Sequence, residues 1–64
     1  MDKLTARQRD VVALLAQGKA PKDIALALVI SRRTVYSHLR EAQYRTGTST
    51  TLELAVKAAG GKGE

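Results

Sequence analysis

Apolar residues recur at helical spacing along most of the chain, and no segment shows the strict alternation of a half-buried strand. Alanine and leucine dominate these apolar positions, as is typical of helices. The pattern predicts an all-α protein, a bundle of four helices. Their approximate bounds are Ala6 to Gln17, Pro21 to Leu28, Arg32 to Arg45 or Thr46, and Thr51 to Ala59.

The residues at the helix ends support these bounds. Thr5 with Gln8, and Thr50 with Glu53, have the spacing of capping boxes. Ala20, before Pro21, is a poor cap and lacks a side-chain acceptor. The third helix follows Ser31, which is a strong cap, and glycines stand where three of the helices are expected to end: Gly18, Gly47 and Gly60.

The second and third predicted helices are separated only by Val29, Ile30 and the cap Ser31. Two helices joined by so short a turn are typical of a helix-turn-helix, although the glycine often found in that turn is missing. The third predicted helix also has an apolar face and a polar face. One stripe is mainly apolar and predicts the core side: Val35, Leu39, Ala42 and Thr46. The opposite face is polar: Arg33, Ser37, Arg40 and Tyr44, with Tyr36 at its edge.

The polar face of the third helix carries groups that suit the major groove of DNA, which is about 12 Å wide. An arginine can bond guanine O6 and N7 together, which makes Arg33 and Arg40 candidate base contacts. Arg32 and Arg33 also lie at a helix N-terminus, where backbone N–H groups favour phosphate. The alternative is an ordinary solvated face, and only the preceding short turn favours DNA over it.

Composition and charge narrow the function. The chain has 64 residues, enough for one small domain, and 11 Lys and Arg against 6 Asp and Glu give a net charge of +5. Such a basic domain often binds nucleic acid. Cysteine is absent, and a single histidine, His38, makes neither a metal site nor a catalytic pair. We therefore expect no enzyme activity, no catalytic residue, no metal and no cofactor, and assign His38 a structural role.

Membrane insertion is not expected either. The longest apolar stretch, Ile24 to Ile30, is seven residues, against about 20 needed to span a bilayer. Charged residues interrupt the N-terminal segment, so it does not read as a signal peptide. These features predict a cytoplasmic protein.

Several short motifs at fixed spacing resemble the DNA-binding domain of LuxR/GerE-type transcriptional regulators, also called FixJ/NarL-type. They are Leu4-Thr5 with Arg7, Val11-Val12, Leu14-Leu15, Gly18, Ile24-Ala25, Leu28, Ile30-Ser31, Thr34-Val35, His38-Leu39-Arg40 and Gly47. The resemblance covers roughly residues 4 to 59. Sigma-factor region four shares part of this pattern, but His38 and the fourth helix favour the LuxR/GerE type.

The resemblance implies a four-helix domain whose third helix enters the major groove of double-stranded DNA. It places Tyr36, Ser37 and Arg40 at base-contacting positions. Positions that grip the phosphate backbone correspond to Ser31, Thr34 and Arg45, and weaker candidates for such contacts are Thr5, Arg7, Lys19 and Lys22. For Glu41 we prefer an ion pair with Arg45 over a contact with cytosine.

The fourth predicted helix has two apolar faces. We assign the core to one of them: Leu52, Ala55, Val56 and Ala59. Thr51, Leu54 and Ala58 then lie on the exposed side. Because this helix commonly mediates dimerisation in the family that the chain resembles, these three residues are the expected contact surface of a homodimer.

Residues 1–59 are expected to form the DNA-binding domain and residues 60–64 a disordered tail. The initiating methionine favours a stand-alone small regulator over an excised domain. Sequence-specific DNA binding in transcription regulation is the leading function. The alternative is a protein-interaction module of helix-turn-helix shape that docks on RNA polymerase or another regulator.

Overall fold

The first helix begins at a complete capping box. A computed structural model describes residues 4–59, and in it α1 spans Ala6–Ala16. The Thr5 hydroxyl oxygen accepts from the backbone N–H of Gln8 at 3.1 Å, and the Gln8 side-chain oxygen accepts from the N–H of Thr5 at 3.1 Å. Gln8 is buried, so this reciprocal bond also satisfies a polar group inside the fold. The helix ends one residue before the predicted Gln17, which caps it.

The second helix, α2, spans Pro21–Leu28 as predicted, and its cap Ala20 makes no side-chain hydrogen bond. The turn that follows contains a feature that the sequence did not predict. Val29 has φ 57° and ψ 49°, the left-handed region, which costs a residue with a Cβ about 1–2 kcal/mol. This conformation lets the N–H of Ile30 donate back to the carbonyl of Ala25 at 3.0 Å. The chain thus reverses without the glycine that such turns usually contain.

The third helix, α3, spans Arg32–Thr46 and begins at the predicted cap. The Ser31 hydroxyl oxygen accepts from the N–H of Thr34 at 3.1 Å. At the other end Gly47 has φ 73°, and the N–H of Thr48 donates to the carbonyl of Gln43 at 3.1 Å. Gly47 adopts this left-handed conformation without the steric penalty that Val29 bears.

The fourth helix, α4, spans Thr51–Ala58, one residue shorter than predicted. Thr50 accepts from the N–H of Glu53 as expected, at 3.0 Å. The Glu53 carboxylate accepts from the N–H of Ser49 at 2.6 Å rather than from that of Thr50, so the return bond of the predicted capping box lies one residue earlier. The expected stop Gly60 and the expected tail, residues 60–64, lie outside the described residues.

The core lies where α1 and α3 meet, with α2 and α4 packed at either side. It consists of the buried apolar residues Leu4, Val11, Val12, Ile24, Ala25, Val35, Leu39, Ala42 and Leu54. The predicted inner stripe of α3 contributes three of them, and its fourth member, Thr46, satisfies its hydroxyl by donating to the carbonyl of Ala42 at 2.8 Å. Within residues 4–59 the fold is therefore the expected all-α bundle of four helices.

The prediction for α4 was wrong for its large apolar residues, although Thr51 is exposed as expected. Leu54 is 0% exposed and Ala58 packs against the core, whereas Leu52 is 73% and Val56 52% exposed. Lys57 helps to fix this orientation, since its ammonium group donates to the carbonyl of Thr46 at 3.4 Å, near the end of α3. Leu54 and Ala58 therefore stabilise the monomer and do not form the exposed contact surface that was expected.

Over residues 4–59, the longest helix has 15 residues, and none is long and apolar enough to cross a bilayer. The same residues contain no group of three His, Asp or Glu side chains placed to hold a metal ion.

Candidate nucleic-acid interface

The candidate interface is built on α3, which the core holds from behind. Val35, Leu39 and Ala42 are buried, and α1, α2 and α4 all pack against this helix. A helix fixed on one side in this way presents its other side as a rigid surface. Because only three residues join α2 to α3, the orientation of α3 is also constrained at its N-terminus.

The outward face of α3 carries the four predicted base-contacting residues. Arg33, Tyr36, Ser37 and Arg40 are all exposed, and they line one shallow recess on the surface. The structure thus brings together four side chains that the sequence placed on one helical face. Guanidinium and hydroxyl groups at such a recess can donate hydrogen bonds to base edges or to phosphate.

Besides the buried Leu39, two further polar residues line the same recess, and both were missed as groove-facing. One is Gln43, near the C-terminal end of α3, and the other is Thr51, the first residue of α4. Gln43 lies seven residues after Tyr36 and three after Arg40. This helical spacing could have identified it as a member of the same face. Thr51 could not be found in this way, because its position depends on how α4 docks.

At the N-terminus of α3, two predicted phosphate contacts are bonded to each other. The hydroxyl oxygens of Ser31 and Thr34 lie 2.9 Å apart, in addition to the capping bond between these residues. One hydroxyl hydrogen is used in this pair, so the other remains available to donate to an incoming anion. Arg32 is exposed beside them.

The predicted ion pair of Arg45 with Glu41 is present. The Arg45 Nε atom lies 3.0 Å from a Glu41 carboxylate oxygen, and both side chains are more than two-fifths exposed. Arg7 lies 3.9 Å from the Asp10 carboxylate in a looser pair. Two of the three arginines predicted to grip phosphate, Arg7 and Arg45, therefore already have a carboxylate neighbour that competes with DNA for them.

The remaining predicted backbone contacts lie on the surface. Lys19 and Lys22 are exposed, and Thr5 is exposed although its hydroxyl oxygen serves as the cap of α1. His38, to which a structural role was assigned, is half-buried on α3.

The charge on α3 is strongly positive. Its sequence contains four arginines and a single carboxylate, Glu41, which is paired with Arg45. Clustered cations of this kind attract phosphate and give affinity that falls with salt.

A second exposed surface carries apolar side chains that the sequence did not single out. Leu26 is 71% and Val29 89% exposed. Leu26 lines a shallow recess between α2 and the start of α3, whose rim carries Lys22 and Arg32.

Comparison with known proteins identifies sequences similar to nearly the whole chain. The model of the family described as "GerE: Bacterial regulatory proteins, luxR family" matches residues 2–58. The transcriptional regulatory protein UhpA of Escherichia coli is 44% identical over 54 residues, which are 84% of this chain and 28% of UhpA. The spore germination protein GerE of Bacillus subtilis is 39% identical over 54 residues, which are 84% of this chain and 73% of GerE.

A putative HTH-type transcriptional regulator of Mycobacterium bovis is 41% identical over 56 residues, or 88% of this chain. Those residues are only 6% of that protein. The chain thus spans a small part of the mycobacterial protein and of UhpA, and about three-quarters of GerE. The family description and the names of UhpA and of the mycobacterial protein refer to regulators.

Proposed function

Because the chain belongs to the LuxR family of bacterial regulatory proteins, we propose that it regulates transcription by binding a specific sequence in double-stranded DNA, with α3 in the major groove. One observation carries the proposal. The outward face of α3 presents Arg33, Tyr36, Ser37 and Arg40 together at one recess, while its inner face is locked into the core. Such a helix can enter the groove without losing its own packing.

In this proposal the outward residues divide between reading bases and holding phosphates. Arg33 and Arg40 donate to guanine O6 and N7, and Tyr36 and Ser37 bond neighbouring base edges. The phosphate backbone is held by residues around the start and end of α3: Ser31, Arg32, Thr34 and Arg45. Further contacts come from α1, α2 and the loop between them: Thr5, Arg7, Lys19 and Lys22. These backbone contacts fix orientation and supply affinity, but they carry no sequence information.

The test is selection from a randomised duplex library, with sequencing of bound DNA at low and at near-physiological salt. We expect one enriched motif that survives the higher salt. Arg40→Ala should then lose about 5- to 100-fold in affinity and relax the preference at a single base position. Arg9→Ala is the matched control, because Arg9 is an exposed arginine of α1 outside the α3 recess.

Two results would contradict the proposal. One is binding that disappears with salt and enriches no motif. The other is an Arg40→Ala variant that weakens binding no more than Arg9→Ala and keeps the full base preference. The first result would mean that the basic surface attracts DNA without reading it, and the second would mean that Arg40 does not read a base.

A homodimer is the second part of the proposal. The outer face of α4 exposes Leu52 and Val56 one helical turn apart, and this apolar face suits a second copy of the chain. The contact surface is thus the opposite face from the one expected from sequence. Leu52→Gln should shift the chain from dimer to monomer in analytical ultracentrifugation on a palindromic site, while Leu26→Gln, an equally exposed leucine on α2, should not. Equal effects of the two variants would argue against this surface.

The alternative function is docking on a protein such as RNA polymerase. The exposed Leu26 beside Lys22 and Arg32 favours it, because an apolar residue with a cationic rim suits an acidic protein surface. It predicts weak DNA binding without a motif. It also predicts that purified RNA polymerase binds the wild-type chain but not Leu26→Gln, whereas under the leading proposal Leu26→Gln leaves the selected DNA motif unchanged.

A further inference from the structure

The recess on α3 extends further than the four residues to which base contacts are assigned. Gln43 of α3 and Thr51 of α4 also line it, and both carry neutral hydrogen-bonding groups. Gln43 is half-buried and Thr51 is exposed. No role in DNA binding follows for them from the resemblance to the family, so their function must come from their position.

Helix geometry places Gln43 on the same face as Tyr36 but much further along it. Seven residues separate the two, which corresponds to a rotation of about 20° and a rise of about 10 Å. Residues near the N-terminus of a recognition helix reach base edges. Because the major groove is about 12 Å wide, a side chain about 10 Å further along α3 lies near the wall of the groove, where the phosphates are.

Thr51, the first residue of α4, lines the same recess, so the start of α4 lies beside α3 there. The Gln43 amide has two N–H donors, and the Thr51 hydroxyl has one O–H donor. Phosphate oxygens accept from such neutral donors, as well as from arginine and lysine. The two side chains come from different helices, so together they can hold one strand of DNA relative to the whole domain.

We infer that Gln43 and Thr51 bind the phosphate backbone of the DNA at the wall of the major groove and thereby set the position of α3 in it. This inference rests on the proposed function. The two residues are positioning contacts rather than base contacts. They add affinity for every sequence alike, and they release no counterions because they carry no charge.

Neutral contacts to phosphate have a signature that separates them from the other contacts on this surface. Removal of a cation lowers the slope of log affinity against log salt by about 0.9 for each phosphate contact. Removal of a base contact changes the preferred sequence. Loss of Gln43 or Thr51 should do neither, and should only weaken binding.

The first experiment measures affinity for the selected DNA motif and for a scrambled duplex over a range of salt concentrations. Gln43→Ala and Thr51→Val should each weaken binding to both duplexes by about threefold to tenfold, with the salt slope and the preferred sequence unchanged. Circular dichroism melts of both variants confirm that the fold is retained.

The second experiment adds charge instead of removing a contact. Gln43→Lys should tighten binding at low salt and steepen the salt slope by about one, because a new cation meets phosphate. Ala13→Lys is the matched control. Ala13 is exposed on α1, beside a separate recess between α1 and α4. The same added charge there should leave the slope nearly unchanged.

Three results would overturn the inference while leaving the proposed function intact. They are unchanged affinity of Gln43→Ala and Thr51→Val, a change of preferred base in either variant, and equal salt slopes for Gln43→Lys and Ala13→Lys. Failure of the proposed function has a different signature, since the wild-type chain itself would then enrich no motif. That result would overturn both.

Discussion

Helices α3 and α4 lie side by side in the same small domain, yet the sequence predicted the buried face of one correctly and that of the other incorrectly. On α3 the arginines mark one side as exposed, and Val35 and Leu39 mark the other as buried. On α4 apolar residues occupy both sides, so burial of Leu54 and burial of Leu52 are equally compatible with the pattern. Helical periodicity therefore identifies a core face only where the opposite face is charged.

The largest expected effect tests which face of α4 is buried. Leu54→Ala should lower the free energy of unfolding by about 2–5 kcal/mol, because it removes a fully buried side chain. Since a domain of this size rarely has more than about 3–5 kcal/mol in total, this variant should be largely unfolded. Leu52→Ala, on the exposed face, should change stability by less than about 0.5 kcal/mol.

Urea denaturation followed by circular dichroism, at a protein concentration low enough to keep the chain monomeric, measures both variants. If Leu52→Ala lowered the free energy of unfolding more than Leu54→Ala, Leu52 would be the buried residue, as expected from the sequence. That result would also remove the apolar outer face on which the proposed dimer depends.

The second-largest effect concerns the turns that precede α3 and α4. A left-handed residue precedes each of them, but it is Val29 before α3 and Gly47 before α4. Val29→Gly should raise the free energy of unfolding by about 1 kcal/mol, because it removes the clash of a Cβ in the left-handed region. Gly47→Ala should lower it by about 1–2 kcal/mol for the same reason. A Cβ at Gly47 would meet nothing within 4 Å, so this loss would be purely conformational.

Thermal melts of the two variants against the wild type give both signs in one experiment. If Val29→Gly lost stability, the Val29 side chain would have to stabilise the fold despite being 89% exposed. The turn before α3 would then not be more strained than the turn before α4.

The smallest effect compares the outer faces of the two helices, which are charged on α3 and apolar on α4. Glu41→Gln removes the ion pair with Arg45 and should cost about 0.3–0.5 kcal/mol at low salt. Because salt screens exposed charges, the difference should vanish near 1 M salt. Leu52→Gln on the outer face of α4 should show no such salt dependence, and a Glu41→Gln effect that persists in high salt would contradict a purely electrostatic role.

Much of the fold followed from local signals in the sequence. The caps Thr5, Ser31 and Thr50 fixed where three helices begin, since each side chain satisfies backbone N–H groups of its own first turn. The ion pair of Glu41 with Arg45 was predictable for the same reason, because both residues lie on one helix. The prediction failed for Leu54, whose partner groups are remote in sequence, and the position of Thr51 beside the α3 recess was missed for the same reason.

The candidate site divides in the same way. Arg33, Tyr36, Ser37 and Arg40 share one face by helix geometry alone, so their proximity followed from the sequence. Thr51 joins that surface only because α4 docks beside α3. The left-handed conformation of Val29 was not predicted either, because the sequence places a β-branched residue where glycine is usual.

The sequence by itself determined the four helices, most of their ends, and the division of α3 into a buried stripe and a cationic face. These depend on hydrogen bonds and periodicity within a single segment. Only the tertiary structure decided which side of α4 is buried and which residues extend the α3 surface. The physical reason is that a helix with two apolar faces can bury either one, and contacts with α1 and α3 make the choice.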